Sequence, residues 1–310
     1  MLEEVRHCPA PAKLNLFLHV TGRRRDGYHL LETVFELIDL ADTMHFQRLA
    51  DGRIERERPL PGVPEAADLC VRAARLLAAE SGCGLGVRIS LDKRLPMGGG
   101  LGGGSSDAAT TLLALNRLWG LDWPPRRLSA LALRLGADVP FFVFGRSAYA
   151  TGIGERLRPL PLPPRFYVVV APRAAVPTAG VFAAPELTRN TKPLKIDGLS
   201  RGRQVFRGRN DLQSVVLARQ PKVAAALDAL RQAAIDVGCD PGAVGREARM
   251  TGSGACVFLP LDHEAQAHRV RDRLSGRLDA SVAVARSLST HPLREWAFGG
   301  AQAAARAAGS

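Results

Sequence analysis

Cysteine is scarce and widely spaced in this chain. No two of its five cysteines form a Cys-x-x-Cys pair, and its seven histidines show no metal-binding spacing. Disulfide-stabilised secreted domains and structural zinc sites both require closely spaced ligands or pairs. The sequence therefore supports neither a disulfide framework nor a zinc site. The cysteines are Cys8, Cys70, Cys83, Cys239 and Cys256.

Long apolar runs are also absent. A membrane-spanning helix needs about 20 mostly apolar residues, whereas the run 166–171 has only the length of a buried strand. The first seven residues contain two acids and no apolar core of a signal peptide. We therefore expect a cytoplasmic location and no membrane partner.

Aromatic residues make up only 5% of the chain, although 42 basic against 30 acidic residues give it a formal charge of +12. Proteins that bind single-stranded nucleic acid combine basic grooves with aromatic side chains on which the bases stack. The arginine clusters of this chain carry no such interleaved pattern. We expect a basic surface that attracts phosphorylated small molecules and no nucleic-acid partner, with a nucleic-acid-binding module as the alternative from another class.

The chain contains enough apolar material for about two domains, since 46% of its 310 residues are hydrophobic. The proline-rich run 158–165 cannot form a helix or a central strand, which places a boundary there. We predict an α+β protein with an N-terminal domain at 1–160, a C-terminal domain at 165–297 and a disordered tail at 298–310. The predicted strands lie at 13–20, 87–91, 166–170, 255–259 and 281–285, and the predicted helices at 68–80, 107–119, 223–234 and 264–274.

The most informative segment runs from Pro96 to Asp107 and contains six glycines and two serines directly before a helix. Glycines let backbone N–H groups approach a ligand closely, and a helix N-terminus offers unpaired donors and partial positive charge. We predict that this segment binds phosphate groups and that Ser105 or Ser106 is the N-cap of the helix.

Two familiar phosphate-binding motifs fit this loop poorly. Three of its glycines have the dinucleotide-binding spacing, but residues 92–96 separate them from the preceding strand. Two glycines have the Walker A spacing, but Ser105 stands where that motif requires lysine. A flexible linker is the simplest alternative, yet a linker would not lie between a strand and an amphipathic helix.

Three further segments carry candidate polar groups. Lys13 and Asn15 share one face of a predicted strand; the alternative is an edge-strand lysine in solvent. Asp138 stands in an apolar segment and needs a nearby cation to remain an ionised base; the alternative is a turn aspartate. The segment 250–258 is either an ordinary glycine hairpin or a loop that closes over a ligand.

Taken in order, these segments resemble the three motifs of the GHMP kinases, the superfamily of galactokinase, homoserine kinase, mevalonate kinase and phosphomevalonate kinase. The motifs are Pro-Ala-Lys-Leu-Asn-Leu at 11–16, the glycine loop at 96–107 and Thr-Gly-Ser-Gly-Ala at 251–255. A narrower resemblance, to the kinases of the non-mevalonate isoprenoid pathway, rests on 11–18 and the expanded glycine loop together with 27–29, 136–142, Thr178, Phe182 and 210–211. Together these matches extend from about Pro9 to Phe258.

The resemblance implies both a fold and a reaction. The expected fold has an N-terminal domain similar to ribosomal protein S5 domain 2 and a ferredoxin-like C-terminal domain, with the site between them. The expected activity is that of a small-molecule kinase, with ATP as co-substrate and Mg²⁺. Its implied acceptor is the 2-hydroxyl of 4-diphosphocytidyl-2-C-methyl-D-erythritol. A kinase for mevalonate or homoserine is the alternative within the superfamily.

The resemblance also implies roles for single residues. Asp138 and Lys13 form the implied catalytic pair, Asp138 taking the hydroxyl proton and Lys13 orienting it, a contribution typically worth about 10²–10⁴-fold. Tyr28 and Phe182 would enclose the cytosine, with His29 at its edge. The expected ATP-binding residues are Pro96, Met97, Gly98, Gly99, Gly100, Leu101, Gly102, Gly103, Gly104, Ser105 and Ser106, and Ser106 would also contact Mg²⁺. The expected substrate-binding residues are Asn15, Tyr28, His29, Thr178, Phe182, Thr251 and Gly252.

The sequence departs from the family pattern in three ways, one of which is that Leu212-Gln213, after Asn210-Asp211, is less polar than expected. Asp107 stands where asparagine is common, and we expect it to turn inward as a helix cap rather than to contact ATP. The glutamate with which the superfamily binds magnesium has no clear counterpart in this sequence.

Overall fold

Two long antiparallel strands organise the N-terminal half of the protein. The structure, a computed structural model, describes residues 2–194 and 204–299. Strand β1 (Glu4–Arg23) pairs with β2 (His29–Leu49) over most of its length. The strand predicted at 13–20 is the centre of β1 and is buried on both faces. Helix α2 (Gly103–Leu118) packs against this buried part, which brings the predicted phosphate loop next to β1.

Helix α1 (Leu69–Ser81) shows how local sequence fixes the ends of an element. The Asp68 side chain accepts hydrogen bonds from the backbone N–H groups of Cys70 and Val71, so it supplies partners for two donors that the helix cannot satisfy itself. At the other end, Gly82 adopts a left-handed conformation with φ of 66°. The helix predicted at 68–80 is therefore confirmed within one residue at each end.

One ten-stranded sheet runs through both halves of the described chain. Strands β7 (Phe166–Pro172) and β10 (Ala280–Leu288) pair with each other, and the end of β10 also pairs with β2. The other strands are β3 (Ile54–Arg56), β4 (Gly86–Asp92), β5 (Ala148–Thr151), β6 (Arg156–Pro159), β8 (Arg249–Met250) and β9 (Val257–Leu261). The other named helices are α3 (Pro125–Leu133), α4 (Val139–Phe144), α5 (Thr178–Phe182), α6 (Gln213–Arg219), α7 (Pro221–Asp236), α8 (Pro241–Glu247) and α9 (Glu264–Leu274).

The proline-rich run 158–165 connects β6 to β7. Strand β6 pairs with β5 alone, so it lies at an edge of the sheet. Its terminal proline has no N–H to donate, and an edge strand tolerates this because it has no second neighbour to bond. The predicted domain boundary falls in this connection.

Apolar side chains form one cluster in each half and a third at their junction. The junction cluster joins Leu14 of β1 to Tyr167 of β7 and Phe258 of β9. The chain then returns to the N-terminal cluster, where Phe298 is 1% exposed. The sequence predicts that Phe298 belongs to a disordered tail, and its burial shows that this prediction is wrong for Phe298; residues 300–310 lie outside the described residues. Within 2–194 and 204–299, no helix has both the length and the apolar character required to cross a bilayer.

Candidate active site

A cavity of about 980 Å³ opens where the glycine loop, β1 and β2 face the C-terminal half. Most of the residues predicted for the site line this cavity. The fold therefore brings together residues that are far apart in the sequence, such as Lys13 and Gly252. The predicted residues in its wall are Lys13, Asn15, Tyr28, His29, Pro96, Met97, Gly98, Gly99, Gly100, Gly102, Gly103, Gly104, Ser105, Asp138, Thr178, Phe182 and Gly252. Three others, Leu101, Ser106 and Thr251, are buried behind this wall.

The glycine loop has a backbone that other residues could not adopt without strain. Gly100 has φ of 77°, and a Cβ atom there would lie 2.2 Å from the carbonyl oxygen of Thr251. Gly102 has φ of 73° and is the N-cap of α2, without a side-chain hydrogen bond. The first turn of a 16-residue helix thus opens toward the cavity with its N–H groups, an arrangement suited to phosphate.

The predicted N-cap of α2 is wrong. The helix begins two residues before Ser105, because a left-handed glycine starts it without the side-chain signal of a serine cap. Ser106 is fully buried in the first turn, and its Oγ has no hydrogen-bond partner among the described residues.

Asp107 does not cap the helix as predicted. Its Oδ2 lies 2.6 Å from Nζ of Lys93, which also lies 2.6 Å from Oδ2 of Asp42. Burial raises the pKa of Asp107, against the opposing charge of Lys93. The other carboxylate oxygen of Asp107, Oδ1, is buried without a partner in the described part of the chain.

Asp42 and Lys93 are site residues that sequence reasoning missed. Oδ1 of Asp42 accepts hydrogen bonds from the backbone N–H groups of Arg94 and Leu95, at 2.6 and 2.7 Å. It thereby fixes the entry to the glycine loop. No spacing rule joins positions 42, 93 and 107, and the one available signal was a basic residue between a strand and a glycine loop.

Lys13 is buried rather than exposed at a strand edge, so that alternative is wrong. Only 3% of the residue is exposed, and its Nζ lies 2.5 Å from Oδ1 of Asn15 and 3.6 Å from Oδ2 of Asp138. Burial lowers the pKa of Lys13, and the charge of Asp138 opposes this shift. The backbone N–H of Lys13 donates to the carbonyl of Leu101, which ties β1 to the glycine loop.

Asp138 occupies the position before α4, as a turn aspartate would. Its side chain makes no capping hydrogen bond there. Instead the carboxylate faces Lys13 and remains 37% exposed toward the cavity. An ionised carboxylate that is held by one cation and open on its other side can accept a proton from a bound hydroxyl.

The glycine turn at 251–254 is both a hairpin and part of the site. It joins the antiparallel strands β8 and β9, and the residues just after it touch the glycine loop, since the N–H of Cys256 donates to the carbonyl of Gly99 at 3.0 Å. Buried Thr251 accepts a hydrogen bond from the N–H of Asn15 through Oγ1, at 2.9 Å. The segment is therefore a glycine hairpin that packs on the glycine loop, and closure of this hairpin over a ligand stays a prediction.

The opposite end of the cavity carries the aromatic residues. The rings of His29 and Phe182 are stacked, with centroids 5.0 Å apart and planes at 29°. Tyr28 is 60% exposed at the rim, so His29 rather than Tyr28 covers the Phe182 ring in this structure. Arg189, which sequence reasoning missed, donates from Nε to Nε2 of His29 at 3.1 Å. The Thr178 and Ser253 hydroxyls are hydrogen-bonded at 2.8 Å.

The Asn210-Asp211 segment holds the two halves together. The amide of Asn210 donates to the carbonyls of Met250 and Gly252 at 2.9 and 2.8 Å. Asp211 accepts from the backbone N–H of Val20 on β1, at 2.8 Å. Both residues therefore support the wall of the cavity from behind.

Comparisons with known proteins agree with this arrangement. Residues 68–146 match the family described as GHMP kinases N terminal domain, and residues 196–280 match GHMP kinases C terminal. The chain is 56% identical to the 4-diphosphocytidyl-2-C-methyl-D-erythritol kinase of Ralstonia nicotianae, over 95% of this chain and 98% of the relative. It is 58% identical to the enzyme of the same name from Thiobacillus denitrificans, over 93% of this chain and 97% of the relative.

Solved structures extend the likeness to three dimensions. A crystal structure of 4-(cytidine 5'-diphospho)-2C-methyl-D-erythritol kinase matches with a TM-score of 0.73 and 37% identity, over 91% of this chain and 98% of that one. Homoserine kinase from Cytophaga hutchinsonii matches with a TM-score of 0.68 at 16% identity, over 94% and 96%, which shows the fold alone. The expected two-domain α+β fold is confirmed, and the chain belongs to the GHMP kinase family, among its 4-diphosphocytidyl-2-C-methyl-D-erythritol kinases.

Proposed function

We propose that this protein transfers the γ-phosphoryl group of ATP to the 2-hydroxyl of 4-diphosphocytidyl-2-C-methyl-D-erythritol. The observation that carries the proposal is the buried Lys13 ammonium, 3.6 Å from the Asp138 carboxylate, in a cavity whose wall includes the glycine loop. The identity of 56% over nearly the whole chain supports the choice of acceptor. A cytoplasmic location remains a prediction of the sequence.

Proton transfer is the role of Asp138 in this mechanism. Its carboxylate accepts the proton of the acceptor hydroxyl as the oxygen attacks phosphorus. The positive charge of Lys13 stabilises the alkoxide that develops. Asn15 fixes the ammonium by accepting one of its hydrogen bonds at 2.5 Å, so Lys13 is oriented before substrate arrives.

The glycine loop and α2 bind the phosphates. Phosphoryl transfer depends mainly on positioning and on stabilising charge, because the transferred group passes through a loose transition state. Backbone N–H groups of the loop and the first turn of α2 supply fixed donors on one side of the cavity. They place the γ-phosphoryl group opposite the hydroxyl that Asp138 deprotonates.

The residues behind the loop fit a magnesium ion bound to the nucleotide. Buried polar atoms nearly always have partners, and Ser106 Oγ and Asp107 Oδ1 have none in the described chain. Hydroxyl and carboxylate oxygens are ligands that Mg²⁺ accepts, although the described residues contain no group of three or more acidic, histidine or cysteine ligands. Ser106 and Asp107 would hold the ion, and when bound it neutralises charge on the phosphates.

The Asp138→Asn variant tests the catalytic assignment. We expect turnover to fall by about 10²–10⁴-fold, because the amide cannot accept the proton, while ATP binding is retained. Turnover is measured as ADP formation, and ATP binding by titration of the free enzyme. The matched control is Asp92→Asn, an exposed aspartate that pairs with Arg94 outside the cavity. Turnover of Asp138→Asn close to that of the control would contradict the role.

A panel of acceptors tests the substrate. We expect ADP formation with 4-diphosphocytidyl-2-C-methyl-D-erythritol and little with mevalonate or homoserine, because the stacked His29 and Phe182 rings suit a flat base that the other two lack. Comparable turnover of mevalonate or homoserine would favour the alternative within the superfamily. Tight, strongly salt-dependent binding of RNA or DNA would favour a nucleic-acid-binding protein.

A further inference from the structure

Arg189 is the most extensively hydrogen-bonded side chain at the aromatic end of the cavity. Its Nε donates to Nε2 of His29 at 3.1 Å. Its two terminal nitrogens donate to the carbonyls of Phe182, Ala184 and Leu187, at 3.0, 2.6 and 3.0 Å. One guanidinium thus fixes both stacked rings, the His29 imidazole directly and Phe182 through its backbone.

The contact with Arg189 determines which nitrogen of His29 carries hydrogen. A guanidinium has donors and no acceptor, so Nε2 of His29 must be the acceptor and the neutral ring must carry its proton on Nδ1. Burial, with the charges of Arg189 and Arg23, lowers the pKa of His29 and keeps the ring neutral near pH 7. Asp26 is the acidic residue that lines this end of the cavity, and it pairs with Arg24 at 2.7 Å.

The Nδ1 atom of His29 is available to a ligand. His29 lines the cavity, and within the described chain Nδ1 makes no hydrogen bond. The ring therefore presents one fixed donor to the cavity while it is stacked on Phe182. Cytosine has an unprotonated ring nitrogen, N3, that accepts such a hydrogen bond. Uracil carries hydrogen on N3 and would oppose it with a second donor.

We propose that Arg189 is a positioning residue for base selection, which holds His29 as an Nδ1–H donor beside Phe182 and so favours cytosine over uracil. The inference rests on the proposed function for the identity of the base. It assigns the preference to a side chain that need not touch the substrate, and it assigns no role in phosphoryl transfer to Arg189.

The test compares Arg189→Met with the wild type. Long-range ¹H–¹⁵N spectra of the free proteins report the His29 tautomer, and competition by CMP and UMP reports base selection. We expect the Nδ1–H form and a preference for CMP in the wild type, loss of that form in Arg189→Met, and a fall in the CMP-to-UMP preference of about tenfold. KM should rise with little change in kcat, since a uniform binding contribution is lost.

The matched control is Arg219→Met. Arg219 ties the same segment, donating to the Gly180 carbonyl at 3.2 Å and pairing with Glu186 at 2.6 Å, without contact to His29. It should keep both the tautomer and the preference. A wild-type His29 with hydrogen on Nε2, or an Arg189→Met variant that keeps the CMP preference, overturns the proposal.

A second pair of variants applies if Arg189→Met does not fold. In His29→Asn the amide nitrogen can stand near the position of Nδ1, whereas in His29→Gln it stands near Nε2. We expect Asn to retain the CMP preference and Gln to lose it, and the reverse order contradicts the inference. These measurements use free protein with CMP and UMP, so they are independent of turnover. Absence of kinase activity would contradict the proposed function. The His29 tautomer and the CMP preference would still be measured, so the two proposals can fail independently.

Discussion

Two buried basic residues show how surroundings set the charge of a single side chain. Burial lowers the pKa of both Lys13 and His291. For Lys13 the Asp138 carboxylate, 3.6 Å away, opposes the shift and favours the charged ammonium. For His291 burial acts alone and lowers the pKa to about 3. The ring is therefore neutral, and its Nδ1 accepts a hydrogen bond from the N–H of Leu293 at 3.1 Å.

His291 makes stability depend on pH. The folded pKa of about 3 lies below the ordinary value of 6.5, so protons bind the unfolded chain more readily as pH falls below 6.5. Between pH 6.5 and pH 3, each unit by which the pH falls therefore lowers the unfolding free energy by about 1.4 kcal/mol. The unfolding free energy of the wild type should fall from pH 7 to pH 5, because His291 must stay neutral in the folded state. In His291→Gln we expect this fall to be smaller by about 2 kcal/mol. Urea denaturation at both pH values measures this.

The control for this prediction is His263→Gln. His263 is an exposed residue at the start of α9. Its replacement should leave the pH dependence of the wild type unchanged. Equal pH dependence in the wild type and His291→Gln would show that His291 is not the group that titrates.

At the scale of elements, the start of α2 depends on contact with the β8–β9 hairpin. Gly100 and Thr251 are so close that a Cβ atom has no room between them. The Lys93 ammonium lies against Gly103, at the start of α2, and joins the carboxylates of Asp42 and Asp107. The conformation of the phosphate loop is therefore imposed from two sides, and it does not follow from its glycines alone.

Gly100→Ala should displace the phosphate loop. The added methyl group meets the Thr251 carbonyl at 2.2 Å, and φ of 77° is strained for alanine. We expect ATP affinity to fall at least about tenfold and the unfolding free energy to fall by about 1–3 kcal/mol. Nucleotide titration and denaturant unfolding measure the two effects.

Gly245→Ala is the matched glycine control. Gly245 lies in α8 with open space around its Cβ position, so alanine should leave ATP affinity unchanged and stabilise the helix slightly. If Gly100→Ala binds ATP as well as this control does, the loop is not held in the way the structure shows.

At the scale of the whole molecule, one arginine joins the halves. Arg249 is 3% exposed, and burial lowers its pKa to about 10. It donates to the carbonyl of Leu16 on β1 at 2.9 Å and to that of Phe206 in the C-terminal half at 2.8 Å. A further bond reaches the Gly208 carbonyl. These three backbone carbonyls therefore depend on the planar guanidinium of Arg249 for their hydrogen bonds.

Arg249→Lys should destabilise the protein despite keeping the charge. Lysine cannot reproduce the planar set of donors, and buried carbonyls without partners cost about 1–3 kcal/mol each. We expect a loss of about 2–4 kcal/mol in the unfolding free energy, measured by denaturant unfolding. Arg246→Lys, at an exposed position on α8, is the control and should change it little. Equal stability of the two variants would contradict the role of Arg249.

The sequence predicted single helices and strands better than the contacts between them. Helix α9 begins at Glu264 and ends at Leu274 as predicted, because its apolar period and its ends are local signals. The start of α2 was missed, since a glycine N-cap leaves no side-chain signal. Lys93 and Arg189 were also missed, because their partners are brought near by the fold and not by spacing. Motif resemblance supplied Lys13 and Asp138 as a pair; residue patterns alone had left each one open.

The contact between Cys256 and Gly99 bears on how this protein can be divided. All the residues of the phosphate loop belong to the first 160 residues, yet one of the two surfaces that hold the loop belongs to the β8–β9 hairpin. A fragment that ends before β7 would contain every phosphate-binding glycine and lack the hairpin surface that helps to fix them. The two halves are consequently not exchangeable modules: a chimera with the C-terminal half of a distant kinase would need a matching hairpin before it could bind nucleotide.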